Sequence, residues 1–172
     1  MKDYPVGNEK CGRKFDKITV GNAEKWLVAE AKKAGLDIDG FKHEMTSDFV
    51  RHVRKHHAHE KFEAGRGQVA ITEADFGRIP ELIKSPDYAI VGARRDGKSF
   101  LIYAKKMADG TMLYFEEVLA GRKNRALRGK TLFKMRGGID EKKTGFDCNA
   151  QREDGPFQGK KNSQRDGRPF PR

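Results

Sequence analysis

The sequence predicts an α+β fold in which N-terminal helices pack on a four-stranded antiparallel meander. Three observations predict it. Apolar residues recur at helical spacing as far as about residue 84, β-branched and aromatic residues dominate the runs that follow, and two Asp-Gly pairs punctuate those runs. Helices first and hairpin-linked strands afterwards is the order of an α+β domain.

Asn22 is placed to cap a first helix over residues 23–34, with Trp26, Leu27 and Ala31 on one face and Gly35 as its stop. A second helix begins at Thr46 or Ser47 and runs to about Ala58, with Phe49, Val50 and Val53 as its buried stripe. Residues 68–71 read as a short strand. Thr72-Glu73-Ala74-Asp75 has the form of a capping box, opening a short helix that turns Phe76, Ile79, Leu82 and Ile83 inward before Ser85-Pro86-Asp87 reverses the chain. Strands follow over residues 88–93, 99–105, 111–118 and 131–135. Asp96-Gly97 and Asp109-Gly110 mark the first two connections as hairpins, and residues 120–129 read as a basic connection into the last strand. Alternation sets Phe100, Ile102 and Ala104 opposite Leu101, Tyr103 and Lys105, and Leu113 and Phe115 opposite Met112, Tyr114 and Glu116. In the last strand it sets Thr131, Phe133 and Met135 opposite Lys130, Leu132 and Lys134.

The 172 residues, 36% apolar and 35% charged, suit one domain with polar excess. No apolar run approaches the roughly 18 residues of a spanning helix, and Met1-Lys2-Asp3-Tyr4-Pro5 lacks the apolar core of a secretory signal, so no membrane partner is expected. Cys11 and Cys148 lie far apart without C-x-x-C spacing, which favours neither a disulfide framework nor a zinc site and fits a reducing compartment. The net charge of +11 favours a polyanion partner. It is unevenly spread: residues 1–121 hold 21 Lys/Arg against 19 Asp/Glu, and residues 122–172 hold 15 against 6. The chain therefore divides into a polar segment over 1–17, a compact domain over 18–136 and a disordered basic tail over 137–172, whose only branched aliphatic is Ile139.

All five histidines, His43, His52, His56, His57 and His59, fall within 17 residues. On the second helix His52 and His56 lie one turn apart along one border of the buried stripe, with Arg51 and Lys55 beside them and His57 on the other border. As metal ligands the pair lacks the Glu of H-E-x-x-H and is flanked by cations, so no metal and no cofactor is expected. As acid and base, imidazoles titrate near neutrality and adjacent cations stabilise a pentavalent phosphate, which is what a metal-free ribonuclease needs when the 2′-OH of its substrate is the nucleophile. A solvated His-rich helix end has the same composition. Thr131 can offer its hydroxyl to a phosphate oxygen, although Thr is also simply a good strand former. Arg122, Lys123, Arg125, Arg128 and Lys130 can follow a phosphate backbone or form a solvated basic loop. There is no Walker loop, no G-x-S-x-G, no G-x-G-x-x-G after a strand and no Cys in a nucleophile setting.

Taken together, the run from Ala23 to Gly40, Phe49-Val-Arg-His-Val-Arg-Lys-His56, Gly67-Gln-Val-Ala-Ile-Thr72, Asp75-Phe76, Ile79-Pro80, Ser85-Pro-Asp87, Ile102-Tyr-Ala-Lys105, Glu116-Glu117 and Lys130-Thr-Leu-Phe-Lys134 resembles the phage nuclease-like domains grouped with Barnase, EndoU, colicin and RelE toxins. The resemblance covers about 115 residues. It implies a small α+β fold of the BECR type and a toxin-like, metal-independent endoribonuclease, with RNA, tRNA among the candidates, as substrate and a 2′,3′-cyclic phosphate as product. Carried over by position, it implies His52, His56, Lys123 and Thr131 as catalytic residues. Arg51, Lys55, His57, Lys105, Arg122, Arg125, Lys130 and Lys134 are then expected to hold substrate. His57 follows His56 where many relatives have a small residue, which leaves open which imidazole faces the RNA. An acidic immunity or antitoxin protein and a phage virion are the expected partners, and the host cytoplasm or the virion the expected location. The alternative is a non-catalytic phage protein that binds nucleic acid or a host factor, or a virion-packaged structural or ejection protein.

Overall fold

The computed structural model describes residues 17–137. The expected segment over 1–17, apart from Lys17, and the expected basic tail, apart from Gly137, lie outside the described residues. The elements run β1 (Lys17–Asn22), α1 (Lys25–Lys33), β2 (Lys42–Thr46), α2 (Ser47–His57), α3 (Glu60–Gly65), β3 (Gln68–Val69), α4 (Glu73–Gly77), α5 (Ile79–Lys84), β4 (Tyr88–Arg95), β5 (Lys98–Met107), β6 (Gly110–Gly121) and β7 (Asn124–Met135). None of the helices is long and apolar enough to cross a membrane.

The expected meander is present as β4 to β7, but it is part of a seven-stranded sheet in the order β1-β2-β7-β6-β5-β4, with β3 also on β7. All pairings are antiparallel except β2 with β7. Two strands, β1 and β2, thus lie outside the expected set, for a physical reason. In β2 the consecutive residues His43 and Glu44 are both buried, which breaks the in–out alternation of a half-buried strand, and their partners are distant in the chain. His43 Nδ1 lies 2.8 Å from Glu116 Oε2, and Glu44 accepts from Lys17 at 2.7 Å and from Arg128 at 3.4 Å. Nothing local marks such residues as interior.

Other local expectations are corrected. Asn22 ends β1 opposite Lys42, so α1 starts after Glu24 without a side-chain cap. Residues 120–129 do not form a long basic connection: Gly121 pairs with Asn124, and Arg122-Lys123 is the tip of a tight hairpin. The single helix expected after Thr72 is two, α4 and α5, the second carrying Pro80 in its first turn, where proline's missing N–H costs nothing. Two expected caps are present: Phe49 N donates to Thr46 Oγ1 at 3.2 Å, and Thr72 N donates to Asp75 Oδ2 at 2.7 Å.

The helices cover one face of the sheet, burying Leu27, Ala31, Phe49, Val53, Phe76 and Leu82 against Leu101, Tyr103, Tyr114 and Leu132. The opposite face gathers Ile102, Ala104, Leu113, Phe115, Phe133 and Met135. Strand β7 is only partly covered along one edge. It pairs there with β2 through Ala126, Leu127 and Arg128 and with β3 through Lys134 and Met135, so residues 129–133 have no strand beside them. Helix α2 fills that gap, with Phe49 edge-on to Tyr114 at 5.7 Å and His57 against Phe133 at 5.7 Å.

Candidate active site

Helix α2 is fixed at both ends. Thr46 caps its start, and Ile71 N donates to the carbonyl of His57 at 2.7 Å, holding the last residue of the helix. Asp48 sits in the first turn and Arg54, Lys55, His56 and His57 in the last, the arrangement that the helix dipole favours. Buried Phe49 and Val53 set the rotation of the helix, which leaves His52 and His56 exposed.

His57 is the histidine that meets the sheet. Its side chain is only 15% exposed, its Nδ1 lies 3.4 Å from Glu63 Oε2 and its Nε2 lies 3.3 Å from Thr131 Oγ1. Glu63, on α3, is fully buried and also accepts from Arg66 Nη1 at 3.4 Å. A carboxylate can only accept, so in the neutral imidazole Nδ1 carries the proton and Nε2 keeps the lone pair, accepting the Thr131 hydroxyl. The chain hydroxyl, imidazole, carboxylate thus fixes both the tautomer and the tilt of the ring. Burial lowers the pKa of His57 below its ordinary 6.5; the hydrogen bond and charge of Glu63 raise it in part, and Arg66 and His56 oppose them.

His52 completes the cluster, its ring centroid 4.8 Å from that of His56 and 6.0 Å from that of His57. Partial desolvation by its neighbours, although much of the ring is exposed, and then the positive charges of His56, His57 and Lys130 lower its pKa from 6.5. Lys130 comes to this side through a bulge. Phe115 pairs with Thr131 and Glu116 with Gly129, so Lys130 is an extra residue in β7. Strict alternation would put Lys130 opposite Thr131. The bulge instead brings Lys130 Nζ to Glu117 Oε2 at 3.2 Å, a carboxylate shared with Lys98 at 3.1 Å. Gly129 is required beside it, because a Cβ there would stand 2.6 Å from the Tyr114 hydroxyl.

The expected site residues therefore separate. His52, His56, His57, Lys130 and Thr131 come together, with Arg51 and Lys55 on the same helix, Arg51 paired to Asp48 at 2.8 Å. The others do not join them. Lys123 and Arg122 are exposed at the β6–β7 turn; Lys123 is eight residues from Thr131 along the strand, roughly 26 Å at the usual rise. Arg125 lies over the Phe41 ring, 5.1 Å from its centroid, on the helix-covered face. Lys105 donates to the Ser85 carbonyl at 2.7 Å at the end of α5. Lys134 is 1% exposed and donates to Asp75 at 2.9 Å and Asp109 at 2.5 Å, a buried tie between β7, α4 and the β5–β6 turn. Such a group cannot reach substrate without abandoning Asp109 and leaving buried Asp75 to Arg78 alone.

Glu63 is the site residue that sequence reasoning missed. In Glu60-Lys-Phe-Glu63 it looks like any solvated acid, and only the packing of α3 on α2 makes it interior. Among the described residues no group of three or more His, Cys, Asp or Glu is arranged so that it could hold a metal ion. What the cluster can do is move protons beside an anion: a fixed neutral imidazole, two further imidazoles, a hydroxyl and an ammonium face one side.

A family model described as phage-Barnase-EndoU-ColicinE5/D-RelE like nuclease3 matches residues 21–142. That span holds every residue of the cluster. No curated protein and no solved structure matches the chain.

Proposed function

The chain belongs to the phage-Barnase-EndoU-ColicinE5/D-RelE like nuclease3 family, and from that premise we propose that it is an endoribonuclease that cuts without a metal ion, with His57 at the centre of its site. The observation that carries this reading is the position of His57 between buried Glu63 and Thr131, with His52 at 6.0 Å.

RNA supplies its own nucleophile, so no protein nucleophile is needed. His57 Nε2 takes the proton of the 2′-OH as O2′ bonds to phosphorus, and the P–O5′ bond breaks. O5′ leaves with a proton from His52, whose protonated form is favoured once the phosphodiester's negative charge offsets its cationic neighbours. The product is a 2′,3′-cyclic phosphate and a free 5′-OH. With RNA bound, the Thr131 hydroxyl turns from Nε2 to a non-bridging oxygen, which frees the lone pair for the 2′-OH proton, and Lys130 faces the same oxygens, where charge grows in the transition state. Lys55 and His56, exposed on the same helix, hold the adjoining backbone. A toxin-like role on host RNA is the biological setting that this chemistry suits.

Wild type should cut single-stranded RNA in EDTA, and His57→Ala and His52→Ala should each lose about 10²- to 10⁴-fold in rate. Undiminished cutting by both variants would remove the assignment.

A further inference from the structure

Helix α3 carries a side chain that this mechanism leaves unused. Phe62 is 69% exposed, the one exposed large apolar side chain among the described residues. Its only described ring contact is with His59, edge-on at 6.1 Å and 85°. His59 and Arg66 are the residues that flank α3 at its start and end, three before and four after Phe62, while Glu60 lies about 200° from Phe62 around the helix. His59 and Arg66 are both exposed. This end of the helix is tied to the site: Arg66 Nη1 reaches Glu63 at 3.4 Å, and Glu63 holds His57. Phe62 precedes Glu63 in the chain and lies about 100° from it around the helix, so the exposed ring is on the solvent side of the element that carries the partner of His57.

We propose that Phe62, between His59 and Arg66, is a stacking subsite for the unpaired base of a nucleotide flanking the scissile phosphate, with Arg66 meeting the next phosphate. This deepens the ribonuclease reading and rests on it. An aromatic face with a guanidinium about one turn away is the pairing that single-stranded nucleic acid uses, base on ring and phosphate on guanidinium. A protein partner fits less well, because the buried centre of a protein interface gathers several apolar side chains and no second exposed large one accompanies Phe62 among the described residues. The subsite selects single-stranded over paired RNA, since a base inside a duplex has no free face to offer.

The test uses a reporter and a strand that cannot be cut. Phe62→Trp places an indole at the subsite, against the single native Trp26. A 2′-O-methyl oligonucleotide should quench the introduced indole, and the same strand made abasic should bind about tenfold more weakly. In competition, Phe62→Ala should bind the base-bearing strand about tenfold more weakly than wild type and lose its preference over the abasic one. In cleavage, Phe62→Ala should raise KM and leave kcat unchanged. Equal affinity of wild type and Phe62→Ala for the base-bearing strand, absence of quenching, or quenching by polyglutamate in place of the oligonucleotide each overturns the subsite. Because binding is read without cleavage, a wild-type protein that stacks bases but cuts no RNA would refute the ribonuclease reading alone. One that cuts RNA with no dependence on Phe62 would refute the subsite alone.

Discussion

His57 differs from His52 and His56 in having both ring nitrogens assigned. Glu63 is a positioning residue, and its effect on pH dependence has a definite sign. It raises the pKa of His57 against burial, so Glu63→Gln removes a stabilised proton and lowers that pKa further. The acid limb of kcat/KM, where the base is lost to protonation, should lie below pH 6.5 in wild type and at still lower pH in Glu63→Gln, with a reduced plateau from the loosened tautomer. A limb that moves upward, or stays in place, would contradict the contact. At this scale the sequence was informative about the cluster and silent about its centre. The i, i+4 spacing showed His52 and His56 as neighbours, but His57 was placed only by the packing of α2 in the gap beside β7, and Glu63 only by the fold of α3 onto it.

Strand β7 brings Lys130 and Thr131 to the histidines of α2, and its local geometry decides which of its residues belong there. The bulge at Lys130 depends on Gly129, since any side chain would press on the Tyr114 hydroxyl. Gly129→Ala should lower stability by about 1–3 kcal/mol, seen as a reduced denaturant midpoint, and should weaken activity by displacing Lys130 and Thr131. A variant as stable and active as wild type would show that the register tolerates a side chain. Lys134 is the contrasting case on the same strand: Lys134→Met takes the buried ammonium from Asp75, which keeps Arg78 at 3.4 Å, and from half-exposed Asp109, and should cost about 3 kcal/mol in thermal or denaturant unfolding. Alternation read the strand well at Phe133 and Met135, but a bulge breaks the period of two, and no pattern in Gly-Lys-Thr announces it. The same limit hid β1 and β2, whose interior positions include charged residues neutralised across the sheet.

For the whole molecule, the site imposes a pH dependence on folding. His52 and His57 have lower pKa values folded than the 6.5 expected unfolded, so below that value the unfolded chain binds protons first. Their contribution is fully present above pH 6.5 and is lost as pH falls through the lowered folded values. Unfolding midpoints should therefore drop on acidification from about pH 7, less so in His57→Phe, which has no proton to bind. The antiparallel meander was legible because Asp-Gly turns and β-rich runs are local signals. The seven-stranded sheet was not, because a parallel β2–β7 pairing joins residues some 84 apart, as Glu44 with Arg128. The net charge of +11 favours a polyanion partner and does not say what is done to it. The most direct measurement compares oligoribonucleotides with their 2′-O-methyl counterparts in EDTA, reading the new ends by mass. Cleavage of the ribose strand alone, leaving 2′,3′-cyclic phosphate and 5′-OH ends, is the predicted result; cleavage of both strands, or 5′-phosphate ends, would contradict 2′-OH attack at His57.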